Sequence, residues 1–463
     1  MSSRPGSLFW KIFYNLIAVP LMFCGFHLLA FLSRFGFSRF DKIRSGLVGR
    51  KRLFAELTNQ LERLQKFHLR FWIHASSMGE YEQARPLLQE IKRRFPEAAR
   101  VLTFFSPSAY ANINRANIPA EVIGYLPFDS WWNARRFLNL VDPAAAIVIR
   151  HDFWPNHLWE AKRRGIALLL ANASVSANAR SFRHWPLVRH FNRAMFDTFD
   201  AVGAVSAGAA KTLASLVRHP ERLIITGDSR YDQVLFRSQS KNVDEILPET
   251  WRDGSLIFVA GSTWPSDEEV LLPALVAVRN HLPQLRMILV PHEPAPAHLA
   301  QLEKQLADWR LVSMRLSRIT ERDTLLTSSP LHPLSHSHPP AVLLIDKIGI
   351  LAILYSVGQV AFVGGSFGPG VHSVLEAAVH GVPVLVGPRF RNSPEAVELN
   401  EKKLLTVAAG VEECQKNLLS FFQDIARRQE KGQQHREFVL ARCGASEKMI
   451  DILVKHAGNK NQP

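Results

Sequence analysis

Beyond residue 65 the chain keeps one rhythm: a short, continuous apolar run, then a stretch of helical spacing, then another apolar run. Such runs are too short to cross a bilayer. They also lack the alternation of a strand with one wet face, so each needs cover on both sides. Strands covered on both faces by intervening helices form parallel sheets. The runs in the first half are 69–75, 100–105, 121–126, 145–150, 166–171, 201–206 and 222–227, and those in the second are 255–261, 286–291, 341–346, 359–365 and 382–387. Between them Leu87, Leu88, Ile91 and Phe95 fall at helical spacing and predict a helix over 82–95. No residue-level repeat links the halves; only the architecture recurs.

The expected fold is therefore α/β: two doubly wound, Rossmann-like domains facing a cleft. The expected division is an N-terminal anchor (1–40), a first domain (41–235), a polar linker containing Pro248 (236–253), a second domain (254–440), and a C-terminal helix and tail (441–463). In such sheets ligands sit at the carboxyl ends of strands. A Pro/His/Ser-rich insert at 328–340 carries His332, His336 and His338. That spacing could ligate a metal, but the composition is that of an exposed loop, and no metal site is expected.

Residues 12–32 contain no Asp, Glu, Lys or Arg and reach the roughly 20 residues a membrane-crossing helix needs. Asn15, Pro20 and His27 interrupt the run. The segment reads as a membrane anchor, with an interfacial helix as the alternative. Arg34, Arg39, Lys42, Arg44, Arg50, Lys51 and Arg52 follow it, whereas only Arg4 and Lys11 precede it, so the remainder of the chain is expected on the cytoplasmic side. The formal net charge is +15, which favours an anionic membrane surface or a phosphorylated substrate. Nucleic acid is not expected, since no zinc finger, RNP-like strand or basic heptad block occurs. Three cysteines, Cys24, Cys414 and Cys443, have no metal-type spacing and suit a reducing compartment.

Several strand ends carry groups able to do chemistry. Ser76-Ser77-Met78-Gly79 leads from a strand into a helix with Glu80 at the turn. A carboxylate there can take a proton from a hydroxyl, although acids at helix starts also simply complement the dipole. Gly364, Gly365, Gly368 and Gly370 lie between a strand and a helix expected to begin near Val371. This order leaves backbone N–H groups open to a phosphate, with His372 and Ser373 as further donors and Glu376 placed for ribose hydroxyls; a plain glycine turn is the alternative. Gly261-Ser262-Thr263, Pro291-His292-Glu293 and Asp346 to Gly349 end other strands of the second half. Arg150 could hold an anion, or equally pair with Asp152. No G-x-S-x-G elbow or P-loop occurs.

The motifs HASSMGE, YLPFDSWWNARRFLNLVDP, FWPNHL, ITGDSRYD, AGSTWPSDEE, VPHEP, IDKIGILAILY and VGGSFGPGVHSVLEAAVHGVPVLVGP come in one order. In that order they resemble the 3-deoxy-D-manno-octulosonic acid (Kdo) transferases of lipopolysaccharide synthesis. The resemblance implies a GT-B fold, inverting transfer from CMP-Kdo to a lipid A precursor, no metal or cofactor, and residence at the inner membrane. It implies Glu80 as catalytic base. It implies donor contacts at Gly261, Ser262, Thr263, Pro291, His292, Gly364, Gly365, Ser366, His372 and Glu376, to which Ser373 is added as a neighbouring donor. Ser76, Ser77, Gly79 and Arg150 are candidates for the acceptor side. The chain departs from the family where many relatives have Glu-x-Glu, Pro-Arg-His and Gly-Gly-His-Asn: here stand Arg150-His151-Asp152, Pro291-His292-Glu293 and Gly370-Val371-His372-Ser373. Transfer from a UDP- or GDP-sugar, or a silent lipid-binding homologue, are the alternatives.

Overall fold

The computed structural model describes residues 5–458 apart from 36, 65–66, 114, 116–117, 176–185, 240–242, 248, 253 and 320–339; the expected His-rich insert lies outside the described residues. The chain divides into two compact units, one running to Gln233 and resuming at Cys443, the other Val234–Arg442.

The sheet of the first unit is built from β1 (Leu69–His74), β2 (Ala98–Phe104), β3 (Val122–Tyr125), β4 (Ala145–Ile149), β5 (Ala167–Ala173), β6 (Ala201–Ala204) and β7 (Leu223–Ile225). All pairs are parallel, in the order β3-β2-β1-β4-β5-β6-β7. Apart from the edge strand β7, where Ile224 and Ile225 are exposed, the apolar runs are continuous because both faces are buried. In β1, Trp72 joins the core that holds Phe137 and Leu138, whereas Phe71 and Ile73 join the opposite core with Leu87, Leu88 and Ile91. Those leucines lie on the helix Met78–Arg94, which starts four residues earlier than apolar spacing predicts. Its start is set by Ser77, whose hydroxyl caps the Glu80 N–H; periodicity alone does not report such a cap. The C-terminal helix Ala445–Gly458 brings Met449, Ile450 and Leu453 into the same core, so it belongs to the first unit.

The second unit repeats the plan with β8 (Leu256–Thr263), β9 (Leu285–Pro291), β10 (Ser313–Arg315), β11 (Val342–Leu344), β12 (Val360–Val363), β13 (Val384–Val386) and β14 (Thr406–Val407). The order is β10-β11-β9-β8-β12-β13-β14, again with parallel pairs. The polar stretch expected as a linker is partly ordered structure. The helix Ser229–Gln239 covers its start, and Leu247 and Trp251 are buried further on. Arg286 lies over the Trp251 ring at 5.4 Å from its centroid. Polarity suggested a tether, but those two apolar side chains pull the segment inward.

At the N-terminus helix runs through Pro5–Phe13, a π turn Tyr14–Ala18 and Val19–Leu32. The π turn lies just before Pro20, in the first turn of the following helix, where its missing N–H is tolerated. The stretch Leu8–Phe35 is long and apolar enough to cross a membrane by length and composition. Trp10 and Tyr14 are nevertheless buried against Trp159 and Met195 of the first unit.

Gly432, inside the helix Ile425–Leu440, packs so closely on the turn at Gly381 that an added Cβ would land on the Gly381 carbonyl oxygen. Backbone cannot give way as a side-chain tip does. Gly432→Ala is expected to destabilise the second unit by about 1–3 kcal/mol despite the better helix propensity of alanine, read by denaturant unfolding.

Candidate active site

Each sheet has a neighbouring pair from which the chain winds outward both ways, β1 beside β4 and β8 beside β12; in the second sheet β11 also inserts between β9 and β10. Connections leave such a pair in opposite directions, which opens a crevice at the carboxyl ends. The motif residues stand at these two places.

In the first unit the end of β1 delivers Ser76 to Glu80, and the end of β4 delivers Arg150 to Asp152. The Glu80 Oε2 accepts the N–H groups of Ser76 at 2.6 Å and Ser77 at 3.2 Å, and Glu80 N–H donates to the Ser77 hydroxyl at 3.3 Å. One carboxylate oxygen is thus fixed by the turn, and among the described residues nothing donates to the other. The dipole-complementing role and the proton-accepting role are therefore compatible in one side chain. Burial raises the Glu80 pKa, and the negative charge of Asp152 adds to it, against the two N–H bonds.

Asp152 is held by a buried chain of side chains. Its Oδ2 meets His74 Nε2 at 2.9 Å and accepts from Trp154 Nε1 at 2.7 Å. His74 Nδ1 lies 2.9 Å from the Thr103 hydroxyl, which also accepts from Trp72 Nε1 at 2.8 Å. Burial pushes the Asp152 pKa up, but the bonds and charge of His74 outweigh it and the net shift is downward. The two carboxylates are thus driven apart, Asp152 toward the charged form and Glu80 toward proton exchange nearer neutrality.

Arg150 is exposed, and among the described residues it makes no ion pair, so the pairing with Asp152 is not observed. Its φ of 61° is left-handed, as is that of Asn172 at the neighbouring strand end (55°). Non-glycine residues there cost about 1–2 kcal/mol each. Asn172 is held by paired bonds with Ser229, whose hydroxyl donates to Gln83 O at 2.7 Å. Gly79 faces open space, so neither packing nor φ demands a glycine there.

In the second unit the glycine loop differs from the open cradle expected. Gly364 N–H donates to Gly261 O, Gly368 and Gly370 N–H to Gly365 O, and Gly365 N–H to Asp267 Oδ2 at 2.7 Å. Its N–H groups are spent on its own fold. The glycines serve close approach: a Cβ on Gly364 would strike the Ser262 backbone, and Gly365 (φ 80°) sits against Gly370. The helix expected from Val371 begins at Leu375, because His372 N–H turns back to Gly364 O at 3.1 Å.

Asp267 organises this loop. Fully buried in the helix Pro265–Arg279, it accepts from Trp264 N at 2.8 Å, Gly365 N at 2.7 Å and Phe367 N at 3.0 Å. Burial raises its pKa against the pull of these bonds. Above the loop three rings stack. His292 lies 5.2 Å from Trp264 and 4.3 Å from His372, centroid to centroid. Trp264 Nε1 donates to His372 Nε2 at 2.9 Å. Burial and the neighbouring His292 lower the His372 pKa, which keeps Nε2 free to accept.

The expected donor residues separate into two groups. Ser262 (φ 53°), His292, His372 and Ser373 lie at or near the surface. Thr263 and Ser366 turn inward: Thr263 Oγ1 donates to the buried Glu268 at 2.9 Å, and Ser366 Oγ joins Val363 O to Gly387 N. Gly261 packs under Tyr355, Pro291 closes β9 in the interior, and Glu376 pairs with Arg237 at 3.2 Å. Asp346 accepts from Ser317 N–H at 3.2 Å. Sequence reading missed Asp267, Trp264, His74 and Thr103; only the capping position of Asp267, three residues past Trp264, could have pointed to it.

A family profile described as 3-Deoxy-D-manno-octulosonic-acid transferase (kdotransferase) matches residues 34–233. A 3-deoxy-D-manno-octulosonic acid transferase of Haemophilus influenzae is 24% identical over 96% of this chain and 98% of its own length. One of Aquifex aeolicus is 27% identical over 72% of this chain and 80% of its own. Among solved structures, a UDP-GlcNAc 2-epimerase from Neisseria meningitidis bound to UDP-GlcNAc aligns with a TM-score of 0.54 and 13% identity, covering 84% of this chain and 100% of that one. A glycosyltransferase from Rickettsia africae aligns with a TM-score of 0.51 and 8% identity, over 85% and 99%. At such identities the structures establish the two-sheet α/β fold.

Asp267→Asn replaces an acceptor oxygen by an N–H₂ facing backbone donors. Thermal and denaturant unfolding are expected to show the second unit destabilised by about 2–4 kcal/mol, because the Trp264 turn and glycine loop lose their common acceptor.

Proposed function

We propose that the chain is a member of the 3-deoxy-D-manno-octulosonic acid (Kdo) transferase family, whose profile matches residues 34–233, and that it transfers Kdo from CMP-Kdo to a sugar hydroxyl of a lipid A precursor. The observation that carries the reading is Glu80, with one carboxylate oxygen pinned to the turn, the other open, and a pKa raised by burial beside Asp152. A general base needs that combination: fixed aim, a free lone pair, and proton affinity above that of an ordinary carboxylate.

In the proposed reaction Glu80 takes the proton from the acceptor hydroxyl as its oxygen bonds to the anomeric carbon of Kdo. The bond from that carbon to the CMP phosphate oxygen breaks, and the configuration inverts. Ser76, Ser77, Gly79 and Arg150 border the acceptor, and the left-handed turn at Arg150 is the kind of strain that collects at functional positions. On the donor side the loops at Gly261 to Thr263, Pro291 and His292, and Gly364 to Ser366 supply shape. Contact falls to the accessible groups, Ser262, His292, His372 and Ser373. Glu376, paired with Arg237, would meet the ribose only by exchanging that partner. The N-terminal segment and the basic residues after it support residence at the cytoplasmic face of the inner membrane, where both lipid and acceptor are anionic.

Glu80→Gln keeps the capping acceptor but removes the base; turnover is expected to fall about 10²–10⁴-fold with CMP binding retained. Near-normal turnover removes Glu80 from the role. The raised pKa of Glu80 predicts a second result. Its active form is deprotonated, so kcat/KM should climb with pH through a midpoint above the usual carboxylate range. Asp152→Asn deletes a negative neighbour and should move that midpoint to lower pH. Thermal shift with CMP, UDP and GDP identifies the base, CMP being expected to stabilise most. Mass spectrometry of the lipid product after incubation with a CMP-Kdo generating system tests the transfer itself.

A further inference from the structure

One side of the N-terminal helix is fastened to the first unit at several points. Trp10 and Tyr14 are buried against Trp159 and Met195. The Tyr14 hydroxyl donates to Asp129 Oδ2 at 2.8 Å. Asn15 and Asn156 exchange amide hydrogen bonds at 2.9 and 3.0 Å. Further along, Phe23 and Phe26 meet the Phe128 ring at 6.2 and 5.2 Å, and Phe26 meets Phe105 at 6.1 Å. Ala30 and Ser33 are buried at the far end.

These contacts explain the polar interruption at Asn15, which is a docking residue and not a flaw in an apolar span. From Trp10 to Ser33 the helix rises about 35 Å, which already exceeds a hydrocarbon core of about 30 Å. A helix that crossed the bilayer would have to abandon this seam or carry its partners into hydrocarbon. Those partners are polar. Asp129 is fully buried and also accepts from Asn156 N at 3.1 Å and His157 N at 3.1 Å. Removing Tyr14 would leave a buried carboxylate one donor short, and moving the carboxylate into lipid is costlier still.

The other side of the same helix has the opposite character. Leu16, Leu21, Leu28, Phe31 and Phe35 are exposed. Arg34, Arg39, Lys42, Arg44, Lys51 and Arg52 follow, all exposed, with Asp41 the one acid between Arg34 and Arg52. Trp131 and Trp132, exposed three and four residues beyond Phe128, suit the headgroup level. An apolar stripe beside a basic cluster matches the surface of a bilayer that contains anionic phospholipid.

We propose that residues 8–35 form an in-plane anchor: the helix lies along one leaflet, locked to the first unit by Tyr14 and Asn15, with both ends on the same side of the membrane. The inference is independent of the sugar transferred.

The test uses the full chain in its membrane, with Cys24→Ser, Cys414→Ala and Cys443→Ser as background and a single new thiol from Ser3→Cys or Ser38→Cys. A membrane-impermeant maleimide is applied to spheroplasts and to inverted vesicles. Both positions are expected to label from one and the same side. Labelling from opposite sides, or recovery of the chain away from the membrane on vesicle flotation, overturns the proposal. The lock is tested by hydrogen exchange on the vesicle-bound protein. Tyr14→Phe with Asn15→Leu should speed exchange of the amides of residues 10–18 at least tenfold, and unchanged exchange refutes the lock. Neither readout depends on catalysis, so failure of the transfer reading is separable from failure of this one.

Discussion

Loops that follow parallel strands hold their shape here because carboxylates accept their backbone N–H groups. Glu80 takes those of Ser76 and Ser77, Asp267 those of Gly365 and Phe367, and Asp129 those of Asn156 and His157. Charge-assisted bonds of this kind are stronger than neutral ones and point in a fixed direction. They stitch together turns that the sheets bring side by side but do not themselves connect. β8 and β12 are hydrogen-bonded neighbours, and Asp267, together with the Trp264–His372 bond, ties the loops that follow them. The same device at Glu80 also leaves an oxygen to spare, which is how a capping residue can serve as a base.

The strands were legible because burial on both faces leaves a continuous apolar signature, and parity along β1 sends Trp72 and Phe71 to separate cores without any polar clue being needed. The Glu80 turn was legible as well, since small residues between an apolar run and a helical pattern mark a strand-to-helix turn, although the Ser77 cap that starts the helix was not read. Asp267 was not, because its partners Gly365 and Phe367 lie 98 and 100 residues away. Nor could sequence tell that Thr263 and Ser366 face inward. A hydroxyl at a strand end suits a ligand or a buried acceptor equally, and only the presence of Glu268 and Gly387 beside them decides. The glycine loop misled for a related reason. Glycines that free the backbone for a phosphate and glycines that let two backbones touch look identical in sequence.

Strain and order are distributed unevenly. Arg150, Asn172 and Ser262 take left-handed backbone at the carboxyl ends of three strands. Each lies beside a rigid feature: the His74–Asp152 chain, the Asn172–Ser229 pair, and the Asp267-held loop. Conformations that cost energy persist where neighbours over-determine them.

The Tyr14–Asp129 and Asn15–Asn156 contacts join residues 115 and 141 positions apart into one polar joint between the apolar N-terminus and the globular body. Membrane segments usually tolerate drift, since one leucine serves as well as another. At positions 14, 15, 129 and 156 such drift is closed off, because a change on one side strands a buried or half-buried polar partner. These four sites should be inherited as a block, and a graft of this N-terminus onto a relative would need the matching pair on the host.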